Sequence, residues 1–235
     1  MNEDMSTNFT KIKACVFDAY GTLFDFNSAV DICSKEVGEK SEELSTIWRQ
    51  KQIQYTWLRS MMDEYVDFWQ ITGDALDYAM SATSVKNDKL QNRLMQLYKK
   101  LELFPEVSNV LNNVKNGNIS TAVLSNGTQE MLYNVIEHSN LSHLIDVVIS
   151  ADEVGVYKPH PKVYQLAVNS LGLKPEEICF MSSNAWDAHG AKSFGFKVIW
   201  INRYQLPHEQ IPTKPDIIIS SLEPISYLLG LKSHA

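Results

Sequence analysis

Short apolar runs rich in Val and Ile, separated by stretches with helical spacing, constrain this chain more than any other feature. The runs are IKACVFDAY (12–20), ISTAVLSNG (119–127), DVVIS (146–150), EICFMSS (177–183) and KVIWIN (197–202), with DIIIS (216–220) as a candidate sixth. They lack the strict alternation of a half-exposed sheet, so both faces are expected to be covered. Helical patterns near 128–139, 160–171, 185–194 and 222–231 fall between them, and Gly172 and Gly195 stand where helix C-caps would. Such strand–helix alternation predicts an α/β fold with a doubly wound, Rossmann-like parallel sheet.

The interval from about 27 to 104 reads differently. It offers no convincing strand. Leu44, Ile47, Trp48, Tyr55, Leu58, Met62, Tyr65 and Trp69 recur at helical spacing, and Ser41 could cap that helix with Glu42 and Glu43 in its first turn. This predicts an inserted helical cap over 27–104 on a core made of 1–26 and 105–235. The Met and aromatic stripe is most simply core packing. An insertion beside the first strand's C-terminal end would also cover the place where open α/β sheets bind ligands.

Bulk properties exclude several function classes. The net charge is −7 and there is no long polybasic run, which argues against nucleic acid or anionic lipid as a partner. No apolar run approaches the ~20 residues needed to span a bilayer. The N-terminus, MNEDMSTNFTKIKA, lacks the apolar centre of a signal peptide. Cys15, Cys33 and Cys179 are three scattered cysteines, neither a disulfide framework nor a zinc cluster, and are expected reduced and buried in a cytoplasmic protein.

Chemistry concentrates at the strand ends. Asp18 and Thr22, then Ser125-Asn126-Gly127, then Lys158, then SSNAWD from Ser182 to Asp187 each follow an apolar run. Parallel strands bring their C-terminal ends to one edge, so these segments can converge. Each alone is weak: a strand-end Asp is more often a turn or capping residue, and SNG is usually just a turn. In this order, together, they carry a strong signal.

Those segments resemble the haloacid dehalogenase superfamily, and more narrowly its L-2-haloacid dehalogenases (type II haloacid dehalogenases). The resemblance runs from roughly 12 to 203. It is carried by FDAYGTLFD, WRQKQIQYTWLR, LSNGT, VYKPHPKVY and SSNAWDAHGAKSFGF. In the superfamily's phosphatases a second Asp, two residues after the nucleophile, protonates the departing alkoxide, which is worth typically ~10²–10⁴-fold. Here that place holds Tyr20. A halide leaves without a proton, so Tyr20 fits halide departure. The first metal-binding acid of those phosphatases falls at Ser183, so no metal and no cofactor are expected.

The resemblance implies a role for each residue. Asp18 is the nucleophile, displacing halide from carbon 2 of an (S)-2-haloacid with inversion. Water then attacks the resulting ester and releases an (R)-2-hydroxy acid. Asp187 activates or orients that water, and Lys158 holds Asp18 ionised and in place. Thr22, Ser182, Asn184 and Tyr164 support them. Ser125 and backbone N–H groups near Asn126 and Ala19-Tyr20 meet the substrate carboxylate. Arg49, by its sequence context alone a solvated helix charge, becomes the halide acceptor and substrate clamp. Tyr20, Ile53, Phe68 and Trp186 form an apolar pocket. A homodimer is also implied. His189, after WDA, departs from the family pattern; its simplest reading is a supporting histidine, its alternative a share in water activation. Two other functions stay open: a Mg-dependent phosphatase of the same superfamily, and a non-catalytic scaffold that binds a small acid.

Overall fold

The computed structural model describes residues 9–231. Their strands are β1 (Ala14–Phe17), β2 (Phe24–Asp25), β3 (Glu102–Leu103), β4 (Ser120–Ser125), β5 (Val147–Ser150), β6 (Ile178–Ser182), β7 (Lys197–Ile201) and β8 (Ile217–Ile219). Their helices are α1 (Ser28–Ile32), α2 (Ser34–Val37), α3 (Ser41–Met61), α4 (Phe68–Ala82), α5 (Asp88–Tyr98), α6 (Val107–Asn116), α7 (Gln129–His138), α8 (Pro161–Leu171), α9 (Ala185–Phe194) and α10 (Ile225–Leu228). The fold is a Rossmann-like α/β core with an inserted helical cap.

Six strands form one sheet in the order β5-β4-β1-β6-β7-β8, every neighbouring pair parallel. The buried strand β1 is central: Phe17 lies opposite Val123 on one side and Met181 on the other. From β1 the chain builds outward through β4 and β5, then crosses back to build β6, β7 and β8. The order reverses beside β1, and a crevice opens there at the strands' carboxyl ends. Gly172 and Gly195 close α8 and α9 in the left-handed conformation.

Helices α1 to α5 fill the insertion. The chain leaves and rejoins the core through an antiparallel ribbon, Phe24 opposite Leu103 and Asp25 opposite Glu102. Ser28 Oγ ties the ribbon, donating to the Asp25 carbonyl at 2.7 Å and accepting from the Glu102 N–H at 3.1 Å. Strand β3 lies inside the interval expected to hold no strand. Two residues are too short to show any periodicity.

Three local expectations are corrected. Ser41 does not cap α3; Lys40 occupies the N-cap, and the Ser41 hydroxyl donates back to the Gly38 carbonyl at 2.7 Å. The apolar stripe is not one buried helix face: α3 stops at Met61, α4 starts at Phe68, and Leu58 and Met62 are exposed. In 222–231 only four residues are helical. The three cysteines are free and buried. No helix among the described residues is long and apolar enough to cross a membrane.

Candidate active site

Asp18 follows β1 directly. Its N–H still donates to the Met181 carbonyl at 2.9 Å, which extends the β1–β6 ladder by one step and fixes where the carboxylate emerges. The chain then turns sharply: the Ala19 carbonyl accepts from Thr22, Leu23 and Phe24, and Gly21 supplies a φ of 89°. The turn returns Thr22 beneath Asp18. Arg203 braces it from the turn after β7, donating to the Thr22 carbonyl at 2.8 Å while paired with Glu106 at 2.7 Å.

The two oxygens of Asp18 are held unequally. Oδ2 accepts from Asn184 Nδ2 at 2.8 Å and from the hydroxyls of Thr22 and Ser182 at 3.3 Å each. Oδ1 accepts from Lys158 Nζ at 3.0 Å. The same ammonium donates to Asp187 Oδ2 at 2.9 Å. Lys158 is 1% exposed and lies over the Phe180 ring. Burial alone would push its pKa down; the charges of Asp18 and Asp187 outweigh that, and the net shift is upward. Burial, and then the charge of Asp18, push Asp187 up to about 6 against the pull of Lys158. Tyr164 donates to Asp187 Oδ1 at 2.8 Å, and its own burial keeps that phenol protonated.

The loop after β4 meets this cluster. Asn126 Oδ1 accepts from the Lys158 N–H at 3.0 Å, which leaves its Nδ2 to donate elsewhere. Ser125 Oγ accepts from the Gly127 N–H at 3.1 Å, which leaves its proton for another acceptor. Gly127 is required by space: a Cβ there would stand 2.8 Å from the Tyr20 ring.

The cap supplies the opposite wall. Arg49, Ile53 and the following turn of α3 share one helix face, being four residues apart. Arg49 donates to the Tyr20 carbonyl and to Asn184 Oδ1, both at 3.3 Å, and its guanidinium lies 4.9 Å from the Phe26 ring centre. Between core and cap lies a small cavity with about 230 Å³ of empty space. Asp18, Lys158, Asn184, Arg49, Ser125 and Asn126 give it polar walls; Tyr20, Ile53, Phe68 and Trp186 give it apolar ones.

Ten of the expected site residues thus border one cavity. Ala19, Thr22, Ser182, Tyr164 and Asp187 do not; they stand behind those that do. Asp187 in particular reaches the cavity only through Lys158. His189 belongs to another face: its Nδ1 lies 3.1 Å from the Pro212 carbonyl, so its ring is occupied away from Asp18.

Sequence reasoning missed Gln52 and Tyr98. Gln52 Oε1 accepts from Arg49 at 2.7 Å, while its Nε2 donates to Thr72 Oγ1 and Tyr98 Oη. Through them α4 and α5 aim the arginine. The available signal was Gln52 three residues after Arg49, on the same face.

A family model for haloacid dehalogenase-like hydrolases matches residues 12–195. The (S)-2-haloacid dehalogenase 1 of Pseudomonas sp. (strain CBS-3) is 44% identical, over 93% of this chain and 96% of that protein. The chain belongs to the haloacid dehalogenase superfamily, among its (S)-2-haloacid dehalogenases. A second relative, (S)-2-haloacid dehalogenase 4A of Burkholderia cepacia, is 46% identical over 84% of this chain and 86% of its own. The solved structure of L-2-haloacid dehalogenase from Xanthobacter autotrophicus with chloropropionic acid covalently bound matches with a TM-score of 0.86. Its identity is 33%, over 93% of this chain and 98% of that one. In this family member Ser183 faces Thr22, accepting from its hydroxyl at 3.3 Å. Among the described residues no three His, Cys, Asp or Glu side chains are grouped to hold a metal ion.

Proposed function

We propose that this protein hydrolyses (S)-2-haloacids to (R)-2-hydroxy acids through an ester on Asp18, without a cofactor. One observation carries the reading: a buried aspartate with an open lone pair, lining one small cavity with an arginine, with tyrosine where an alkoxide-protonating acid would stand. Each carboxylate oxygen has about two lone-pair sites. Oδ2 already accepts three hydrogen bonds and Oδ1 one, so Oδ1 is the attacking atom.

Ser125, Asn126 and backbone N–H groups near Ala19-Tyr20 receive the substrate carboxylate. Arg49 receives the halide. Oδ1 attacks carbon 2 from the side opposite the halide, the carbon–halogen bond breaks with its electron pair on the halide, and the carbon inverts. Apolar walls strip water from the nucleophile, which raises its reactivity. In the second step water attacks the Asp18 carbonyl carbon. The three donors on Oδ2 then serve the oxyanion that develops there; donors of this kind are worth about 10²–10³-fold each. Asp187, its pKa pushed up to about 6, takes the water's proton and returns it to the alkoxide of the (R)-2-hydroxy acid as the Cγ–Oδ1 bond breaks, which restores the Asp18 carboxylate. Because Lys158 Nζ bridges both carboxylates, their oxygens are no farther apart than the sum of its two bonds. Loss of the Asp18 charge on esterification frees the lysine toward Asp187 and the water between them. The covalent chloropropionate in the Xanthobacter relative supports this order.

The division into a core of 1–26 with 105–235 and a cap of 27–104 is part of the same reading, as are a cytoplasmic location and a homodimer. Sedimentation at the mass of one chain would remove the dimer.

The test is halide release from (S)- and (R)-2-chloropropionate, assayed separately with EDTA present. Chloride from the (S) form alone is expected. Release from neither acid, with magnesium-dependent turnover of a phosphate ester, would overturn the reading.

A further inference from the structure

The cavity is small, about 230 Å³ of empty space, so an alkyl chain that outgrows it must move one of its walls. Outside one wall lies an open, mostly apolar groove with about 920 Å³ of empty space, bordered by Trp57, Met61, Tyr157 and Pro159. Lys158 borders both spaces. The partition beside it is a pair of indoles: Trp186 of the core, which faces the cavity, and Trp57 of the cap, which faces the groove. Their ring centres are 5.4 Å apart at 86°, edge to face.

Helix α3 runs along this path. Arg49, Ile53 and Trp57 follow one another at intervals of four, so they form one stripe from the halide end of the cavity to the groove. Trp57 has no polar tether: its indole N–H is buried without a hydrogen-bond partner. A buried indole usually finds one. The ring is therefore held by shape, and it can be removed or displaced without breaking a hydrogen bond.

We propose that Trp57 sets the upper limit on the alkyl chain this site accepts. The inference rests on the dehalogenase reading above. With halide on Arg49 and carboxylate on Ser125 and Asn126, the third substituent of carbon 2 grows toward Ile53, Phe68 and Trp186. A chain longer than those walls hold meets Trp186, backed by Trp57. Without the Trp57 ring, Trp186 gains room to yield, and the chain runs out into the groove against Met61 and Tyr157.

The experiment compares kcat/KM for bromide release from (S)-2-bromopropanoate and (S)-2-bromohexanoate in wild type, Trp57→Ala and Trp57→Phe, with melting curves on all three. One methylene in an apolar pocket discriminates by about 10–200-fold. The hexanoate-to-propanoate ratio should therefore rise at least about tenfold in Trp57→Ala and stay near the wild-type value in Trp57→Phe. A folded Trp57→Ala whose two substrates fall in parallel, or whose ratio does not move, overturns the proposal. If the alanine variant does not fold, Trp57→Leu carries the same comparison. Wild type that releases bromide from neither acid fails the parent reading instead; active wild type with an unmoved ratio fails only the role of Trp57.

Discussion

Lys158 and Arg49 are the two cations that face the cavity, and they are held differently. Lys158, from the core, has both acidic partners within 3.0 Å and is almost wholly buried. Arg49, from the cap, is half-buried, reaches the core only through 3.3 Å bonds, and is held firmly only by its own helix neighbour Gln52 at 2.7 Å. The core cation is committed before substrate arrives, and removing it leaves charge stranded. The cap cation keeps donors in weak contacts that an anion can replace at small cost. Stability and chemistry are therefore coupled on one wall and separable on the other.

The sharpest way to break that comparison is at Asp18, the proposed nucleophile. Asp18→Asn replaces a carboxylate by a weakly nucleophilic amide, and halide release should fall by roughly 10⁴-fold or more. Mass spectrometry must confirm that the amide has not reverted. Full activity in an intact variant would end the assignment. Lys158→Met comes next, because it leaves Asp18 and Asp187 facing each other. Urea unfolding should show a loss of about 3–5 kcal/mol, with turnover lost as well. A variant as stable as wild type would mean that the core charges are not coupled to folding.

Arg49→Ala should behave in the opposite way. Its kcat should fall by about 10²–10³-fold, while stability changes by less than about 1 kcal/mol. A parallel loss of stability would erase the distinction between the walls. The smallest effect is a displaced pH profile. Asp187 is pushed up to about 6, and a base must be unprotonated, so kcat should fall as pH drops through that value wherever ester hydrolysis limits. Tyr164 donates to the charged form of Asp187 and so holds it down. Tyr164→Phe should move the acid limb to higher pH, by about one unit. An unmoved limb would take Asp187 out of the second step.

The same contrast governs what the sequence reveals. Asp18, Ser125, Lys158 and Asp187 are legible because each follows an apolar run, and parallel strands deliver such residues to one edge. Arg49 is different. On a helix a lone arginine reads as a solvated charge, and only the resemblance of WRQKQIQYTWLR to a known family raised it. Gln52 and Tyr98 were hidden because a polar residue in mid-helix looks like surface until the packing of α4 and α5 buries it. Ser41 failed as a cap because a tight turn placed the Gly38 carbonyl nearer its hydroxyl than the helix's own N–H groups. The helical stripe broke where the chain takes a positive φ at Asp63, a turn that apolar spacing does not encode.

The two-stranded ribbon of β2 and β3 has a consequence for how such a protein can change. It sets the points where the insertion leaves and rejoins the core side by side, Asp25 opposite Glu102. Seen from the sheet, everything between them is one hairpin loop. Loop closure is insensitive to length, each doubling adding only about 0.6 kcal/mol. In chain entropy, the core therefore registers little of how long the insertion is. The segment that carries Arg49, Ile53 and Trp57 can change in length at small cost in chain entropy, and what fixes its place is its contact with Tyr20 and Tyr157 of the core.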